Sequence, residues 1–106
     1  MPRKQTSGPA IKRTRMEPGY YEWHRVYDGQ VIAEAEKDLE FAGEVVKGWT
    51  VSFFARANTR PRAQAEWHFY DAEGADTLWQ AGRMVADWAQ TLEDTEDLGV
   101  IDDYPL

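Results

Sequence analysis

The sequence predicts an α+β domain: a four-stranded antiparallel sheet made of two hairpins, with one C-terminal amphipathic helix packed on one face. Segments in which apolar and polar residues alternate are typical of half-buried strands. The pair Asp28-Gly29 is a strong signal for a tight hairpin turn, and the apolar residues from Leu78 to Leu92 recur with helical spacing. A chain of 106 residues has room for one such domain.

The beginning of the chain is predicted to be a disordered basic arm over residues 1–17. Its first 16 residues hold five basic and no acidic side chains, and the isolated Ile11 offers too little apolar surface to support folding. The single folded domain is then expected over residues 18–95. An acidic tail is expected over residues 96–106.

The first predicted hairpin covers residues 20–38. Its turn is placed at Asp28-Gly29, because a two-residue turn needs positive φ angles that aspartate and glycine tolerate. Pairing outward from this turn sets His24 opposite Ala33.

Two further strands are predicted over residues 48–57 and 63–70, and we expect them to pair as the second hairpin. Residues 39–47 are apolar at near-helical spacing but contain Gly43, which indicates a short helical turn or an irregular connection. Residues 71–74 combine acidic residues with glycine and are predicted to form a turn.

The helix is predicted over about residues 76–93, with Asp76 or Thr77 as its N-cap. The acidic run at residues 93–97 should end it, because like charges at a helix C-terminus oppose the helix dipole. The apolar faces of the strands and the helix together predict a core of Trp49, Phe53, Trp67, Phe69, Leu78, Val85 and Trp88.

The composition excludes several kinds of site. The chain has no cysteine, which rules out disulfides, thiolate zinc sites and cysteine nucleophiles. No serine lies on a glycine-flanked elbow, and no glycine-rich phosphate-binding motif occurs. No segment approaches the roughly 20 apolar residues of a membrane span. We therefore expect a cytoplasmic protein without enzymatic activity or cofactor.

The charge is strongly asymmetric. The net charge is −7, and residues 71–106 hold ten acidic residues against one basic residue, Arg83. An acidic surface of this kind steers association with a basic protein partner. The leading hypothesis is a non-enzymatic protein-binding modulator, such as an inhibitor encoded by a phage or mobile element that imitates the charge of DNA. The candidate residues, on the helix and tail, are Trp79, Asp87, Glu93, Asp94, Glu96, Asp97, Asp102 and Asp103.

Two other functions remain open. The basic arm and the arginines near Pro61 are suited to phosphate contacts, which favours a small DNA- or RNA-binding accessory protein, although the acidity of the domain opposes it. A self-associating structural or assembly protein, a homodimer for example, is the second alternative, because an aromatic edge strand can pair with another copy. The candidate nucleic-acid-binding residues are Arg3, Lys4, Lys12, Arg13, Arg15, Arg60 and Arg62.

A Glu-Trp-His tripeptide occurs twice, before Arg25 and before Phe69. If the two strands that carry it were neighbours, two imidazoles and two carboxylates would converge on one face as a first shell for zinc or iron. The simpler interpretation places them on the solvent side of their strands, and we predict no metal. The residues in question are Glu22, His24, Glu66 and His68.

Overall fold

A computed structural model describes residues 9–56 and 66–97. They form an antiparallel sheet with the strand order β1-β2-β3-β4-β5, followed by one helix, so each strand pairs with its neighbour in sequence. The α+β class and the C-terminal helix are as predicted, but the sheet has five strands and not four. The elements are β1 (Ile11–Glu17), β2 (Tyr20–Arg25), β3 (Val31–Phe41), β4 (Glu44–Arg56), β5 (Trp67–Ala75) and α1 (Leu78–Asp94).

The additional strand is β1, in the segment that was predicted to be disordered. Pro18-Gly19 closes a tight turn, in which Gly19 has a φ of 80°, and the chain before it folds back so that Ile11 pairs with Arg25. The backbone of β2 supplies the hydrogen bonds that β1 cannot make alone. The prediction of disorder was therefore wrong for residues 11–17.

The hairpin of β2 and β3 has a longer turn than predicted. Strand β2 ends at Arg25, and the carboxylate of Asp28 accepts hydrogen bonds from the Arg25 side chain and from the backbone N–H of Gln30. The backbone N–H of Arg25 also donates to the Gln30 carbonyl at 2.9 Å, so the hairpin is closed by a four-residue loop and not by a two-residue turn. As a result His24 pairs with Val31 and not with Ala33.

The connection predicted at residues 39–47 is instead the extended tip of the hairpin of β3 and β4. Phe41 pairs with Glu44, and the two residues between them, Ala42 and Gly43, have φ angles of 55° and 83°. Positive φ at both central positions defines a type I′ turn. Residues 71–74, predicted as a turn, are likewise extended and belong to β5.

Helix α1 confirms the predicted helix closely. The Thr77 hydroxyl caps it by accepting the backbone N–H of Gln80 at 3.0 Å. At the other end the N–H of Asp97 donates to the Leu92 carbonyl at 2.6 Å, and the N–H of Glu96 donates to the Glu93 carbonyl, the pattern of a Schellman motif.

The core lies between α1 and one face of the sheet. Of the predicted core, Phe53 and Val85 are buried, while Trp49, Trp67, Leu78 and Trp88 are partly buried against the cluster. Phe69 was predicted wrongly, because its side chain is 56% exposed. The buried apolar residues are Trp23, Ile32, Ala33, Ala35, Val51, Phe53, Ala55, Ala75, Ala81, Val85, Ala89 and Leu92.

The helix does not cover the sheet evenly. Its contacts concentrate on β3, β4 and β5, so the helix does not cover β1 at the edge of the sheet. Within the described residues, α1 is too short and too polar to cross a membrane.

Candidate partner-binding site

A β-bulge in β5 shapes a cleft between this strand and α1. Phe53 pairs with Asp71 and Phe54 pairs with Phe69, so Tyr70 is an extra residue without a partner of its own in β4. A bulge re-aims the side chains around it. Here it brings the Tyr70 ring onto the helix side of the sheet.

Trp88 of α1 meets the ring of Tyr70 there. The two rings stack with their centroids 5.3 Å apart and an interplanar angle of 27°. The indole Nε1–H of Trp88 donates to the Phe54 carbonyl at 3.0 Å, and its ring lies 5.3 Å from that of Phe53. A hydrogen bond and two ring contacts therefore hold Trp88 in place.

Three carboxylates surround these rings. Asp71 and Glu73 lie two residues apart on β5 and so project from the same face, while Asp87 projects from α1. All three line a cleft of about 230 Å³. Among the described residues none of the three forms an ion pair. The cleft therefore combines an aromatic floor with uncompensated negative charge. Its lining is completed by Phe53, Tyr70, Met84, Trp88 and Thr91.

Two residues of the predicted acidic surface serve the interior instead. Asp97 is 7% exposed, and its carboxylate accepts from Nη1 of Arg25 at 2.7 Å and contacts Nη2 of Arg56 at 3.2 Å. Glu93 accepts from the Tyr27 hydroxyl at 2.7 Å and lies 3.4 Å from Arg25. Assigning Asp97 to an exposed surface was therefore a mistake, because the ion pairs draw its side chain inward.

The buried Arg25 is the centre of this network. Its guanidinium also contacts Asp28 and lies over the rings of Tyr27 and Trp67, at 4.8 and 5.1 Å from their centroids. Burial alone would lower the pKa of Arg25, but the hydrogen bonds to Asp97 and Asp28 outweigh burial and raise it. Arg25 therefore keeps its charge and ties the β2–β3 loop to the end of α1.

The remaining candidates on the helix are dispersed. Asp94 is exposed and accepts from Gln90 at 2.8 Å, and Glu96 occupies the positive-φ position after the helix. Trp79 is 71% exposed beneath the guanidinium of Arg83, nine residues and hence about 180° around the helix from Trp88. It therefore lies away from the cleft. Asp102 and Asp103 fall outside the described residues.

The four residues considered as metal ligands do not come together as a set, although Glu22 and His68 line one surface cavity of about 270 Å³. Glu22 and His24 lie in β2, whereas Glu66 directly precedes β5 and His68 lies in β5. Strands β2 and β5 are separated in the sheet by β3 and β4. No group of three potential metal-ligating side chains occurs in the described part of the chain. The condition for a shared site at Glu22, His24, Glu66 and His68 is therefore not met.

The basic candidates divide between β1 and regions outside the described residues. Arg13 and Arg15 pair with Trp23 and Tyr21 on the helix side of the sheet, and Lys12 points to the opposite side. The Arg13 guanidinium lies 4.9 Å above the Tyr21 ring. Arg3, Lys4, Arg60 and Arg62 fall outside the described residues.

Asp71, Glu73, Tyr70 and Trp88 were not recognised as a site from the sequence. The period-two spacing of Asp71 and Glu73 is a usable signal of a strand, but Gly74 beside them favours a turn. Nothing in the sequence signals the bulge that carries Tyr70.

No protein family, curated protein or solved structure matches this chain.

Proposed function

We propose that the protein is a non-enzymatic binding protein that receives a basic segment of a protein partner in the cleft between β5 and α1. The observation that carries this proposal is the absence of ion pairs, among the described residues, at the carboxylates of Asp71, Glu73 and Asp87. Uncompensated charge beside fixed aromatic rings fits an arginine or lysine side chain, which gains from both.

This proposal keeps the acidic surface of the leading hypothesis but moves its centre. Asp87 remains, Glu93 and Asp97 belong to the internal network, and the acidic residues of β5 take their place. Modulation by occupying the basic surface of a partner, as an inhibitor from a phage or mobile element would do in the cytoplasm, is the biological role that this mode of binding would serve.

A peptide titration tests the proposal directly. The probe is a synthetic peptide of ten residues with arginine at every second position, and the control probe replaces each arginine by glutamate. Binding is followed by isothermal titration calorimetry at about 50 and 200 mM salt, because exposed charge pairs are screened by salt. We expect the arginine peptide to bind, and to bind more weakly at the higher salt concentration. The glutamate peptide should not bind.

The matched variants each neutralise three carboxylates. The cleft variant carries Asp71→Asn, Glu73→Gln and Asp87→Asn, and the control variant carries the exposed residues Glu36→Gln, Glu40→Gln and Glu44→Gln. We expect at least about tenfold weaker peptide binding in the cleft variant than in the control variant. Equal affinities in both variants would contradict the proposal.

Nucleic-acid binding remains a second candidate, supported by one observation. Strand β1 holds Lys12, Arg13 and Arg15 in ordered positions, with Arg13 beside the Tyr21 ring, a combination suited to phosphate contacts and base stacking. Binding to random single-stranded and duplex DNA at about 50 mM salt tests it, since phosphate contacts are strongest at low salt. No binding there would eliminate this candidate.

A further inference from the structure

The two edges of the sheet carry opposite charges on the same face. In the described part of the chain β1 pairs only with β2, and β5 pairs only with β4, so each strand has one free edge. Arg13 and Arg15 project from β1 on the helix side, and Asp71 and Glu73 project from β5 on that side. Both pairs have the two-residue spacing that places side chains about 7 Å apart along a strand.

We propose that the basic segment received by the cleft is strand β1 of a second copy of this chain, which adds to the free edge of β5. The inference rests on the proposed function, because it names the partner of the same cleft. Arg13 and Arg15 of one copy would then face Asp71 and Glu73 of the next.

The charges select one pairing among the possible ones. In a symmetric dimer with both helices on the same face, two β1 edges would oppose arginine with arginine, and two β5 edges would oppose carboxylate with carboxylate, which is destabilising. A symmetric dimer with one copy turned over would place the charged side chains on opposite faces, where they gain no partner of opposite charge. In an antiparallel meander β1 and β5 run in the same direction. If a second copy is shifted sideways in the plane of the sheet and is not turned over, its β1 therefore pairs in parallel with β5 of the first copy. The two arginines and the two carboxylates then lie on the same face.

The position of α1 suits this arrangement. The helix lies over β3, β4 and β5 and leaves β1 uncovered at one edge of the sheet. In the proposed pairing, β1 of one copy would lie beside α1 of the next copy, on the side of the helix that carries Asp87. The contact is head-to-tail, so it generates a ring or an open filament.

Analytical ultracentrifugation over a range of concentrations tests this proposal. We expect species heavier than the 12.2 kDa chain, which dissociate as salt is raised. The variants Arg13→Glu with Arg15→Glu, and Asp71→Lys with Glu73→Lys, should each associate at least about tenfold more weakly than the wild type. An equal mixture of the two variants should associate again, because every basic edge then meets an acidic one.

Arg13→Glu is also made alone, and its matched control is Lys12→Glu, which makes the same change of charge on the opposite face of the same strand. Circular dichroism verifies that each variant is folded, and the salt dependence of the wild type requires no variant. The proposal is overturned by a wild type that stays monomeric at every concentration and salt, by a mixture that does not associate, or by Lys12→Glu acting as strongly as Arg13→Glu. If the arginine peptide still binds a monomeric wild type, the cleft remains a binding site and only its partner is wrong.

Discussion

Arg25 and Asp97 form a buried ion pair, with 2.7 Å between Nη1 and Oδ1, although 72 residues separate them in the sequence. The pair connects the end of β2 to the residue that completes the Schellman motif of α1. It therefore joins the first hairpin to the last element of the described fold.

Removing Arg25 should be among the most destabilising single changes. The variant Arg25→Ala leaves the buried Asp97 without its closest partner and is expected to lower the free energy of unfolding by about 3–5 kcal/mol. Urea denaturation measures the loss. The matched control is Arg83→Ala, which removes an arginine that lies over the exposed Trp79 ring and should cost less than about 1 kcal/mol. Equal losses in the two variants would show that burial of the network is unimportant.

The same network predicts a loss of stability in acid. Burial favours a higher pKa for Asp28, but the hydrogen bonds from Arg25 and from the Gln30 N–H outweigh it and hold the pKa below its ordinary value. The stability that this shift contributes is present above about pH 4, the unfolded value, and is lost as the pH falls through the lower folded value. Thermal melts between about pH 7 and pH 2 should show a steeper acid decline in the wild type than in Asp28→Asn. Parallel declines would contradict this assignment.

The raised pKa of Tyr27 predicts that stability falls at high pH, the opposite of the effect of Asp28. Partial desolvation of the Tyr27 hydroxyl and the hydrogen bond to Glu93 raise its pKa to about 12, although the side chain as a whole is exposed. A raised folded pKa stabilises the protein below about pH 10, the unfolded value, and this stability is lost as the pH rises toward the folded one. Ultraviolet titration of tyrosinate should show one group ionising near pH 12 that is missing in Tyr27→Phe. If the variant instead lacks a group that ionises near pH 10, the hydrogen bond to Glu93 is not maintained in solution.

The parts of the fold that could be predicted from the sequence are those set by local periodicity. The apolar stripe of α1 and a cap at Asp76 or Thr77 follow from residues close together in the chain. The structure confirms the stripe and shows that Thr77 is the cap. The alternation of residues 49–55 likewise predicted which side of β4 is buried.

The parts that could not be predicted depend on partners that are distant in the sequence. Strand β1 is too polar to form a strand by itself and becomes one by pairing with β2. An arginine at position 25 is expected at the surface, but its ion pair with Asp97 allows it to be buried. The cleft depends on the bulge at Tyr70, which shifts the register of β5 by one residue. Phe69 therefore lies on the face opposite to the one that simple alternation predicts.

The turn between β3 and β4 offers a stabilising substitution. Ala42 has a φ of 55°, a conformation that costs free energy for alanine but suits asparagine, and Gly43 follows it. Ala42→Asn should raise the free energy of unfolding by about 0.5 kcal/mol, measured by urea denaturation. The same substitution at the exposed helical position Ala86 should lower it by a similar amount, about 0.5 kcal/mol, because asparagine is a poor helix former. A loss in both variants would mean that the turn is not type I′ in solution.

Leu92 connects the apolar core to the Arg25 network. Its side chain is fully buried, and its carbonyl accepts the N–H of Asp97. Leu92→Ala should lower the free energy of unfolding by about 2–5 kcal/mol through the cavity that it leaves, whereas truncating the 72% exposed Phe41 to alanine should change it by less than about 0.5 kcal/mol.

Because the core and the ion pair meet at this end of the helix, the two changes should not act independently. The double variant Leu92→Ala with Arg25→Ala should lose less free energy than the two single losses combined, since either change alone loosens the contact that the other depends on. A double-mutant cycle in urea measures this coupling. Strict additivity would mean that the helix end stays in place when either support is removed.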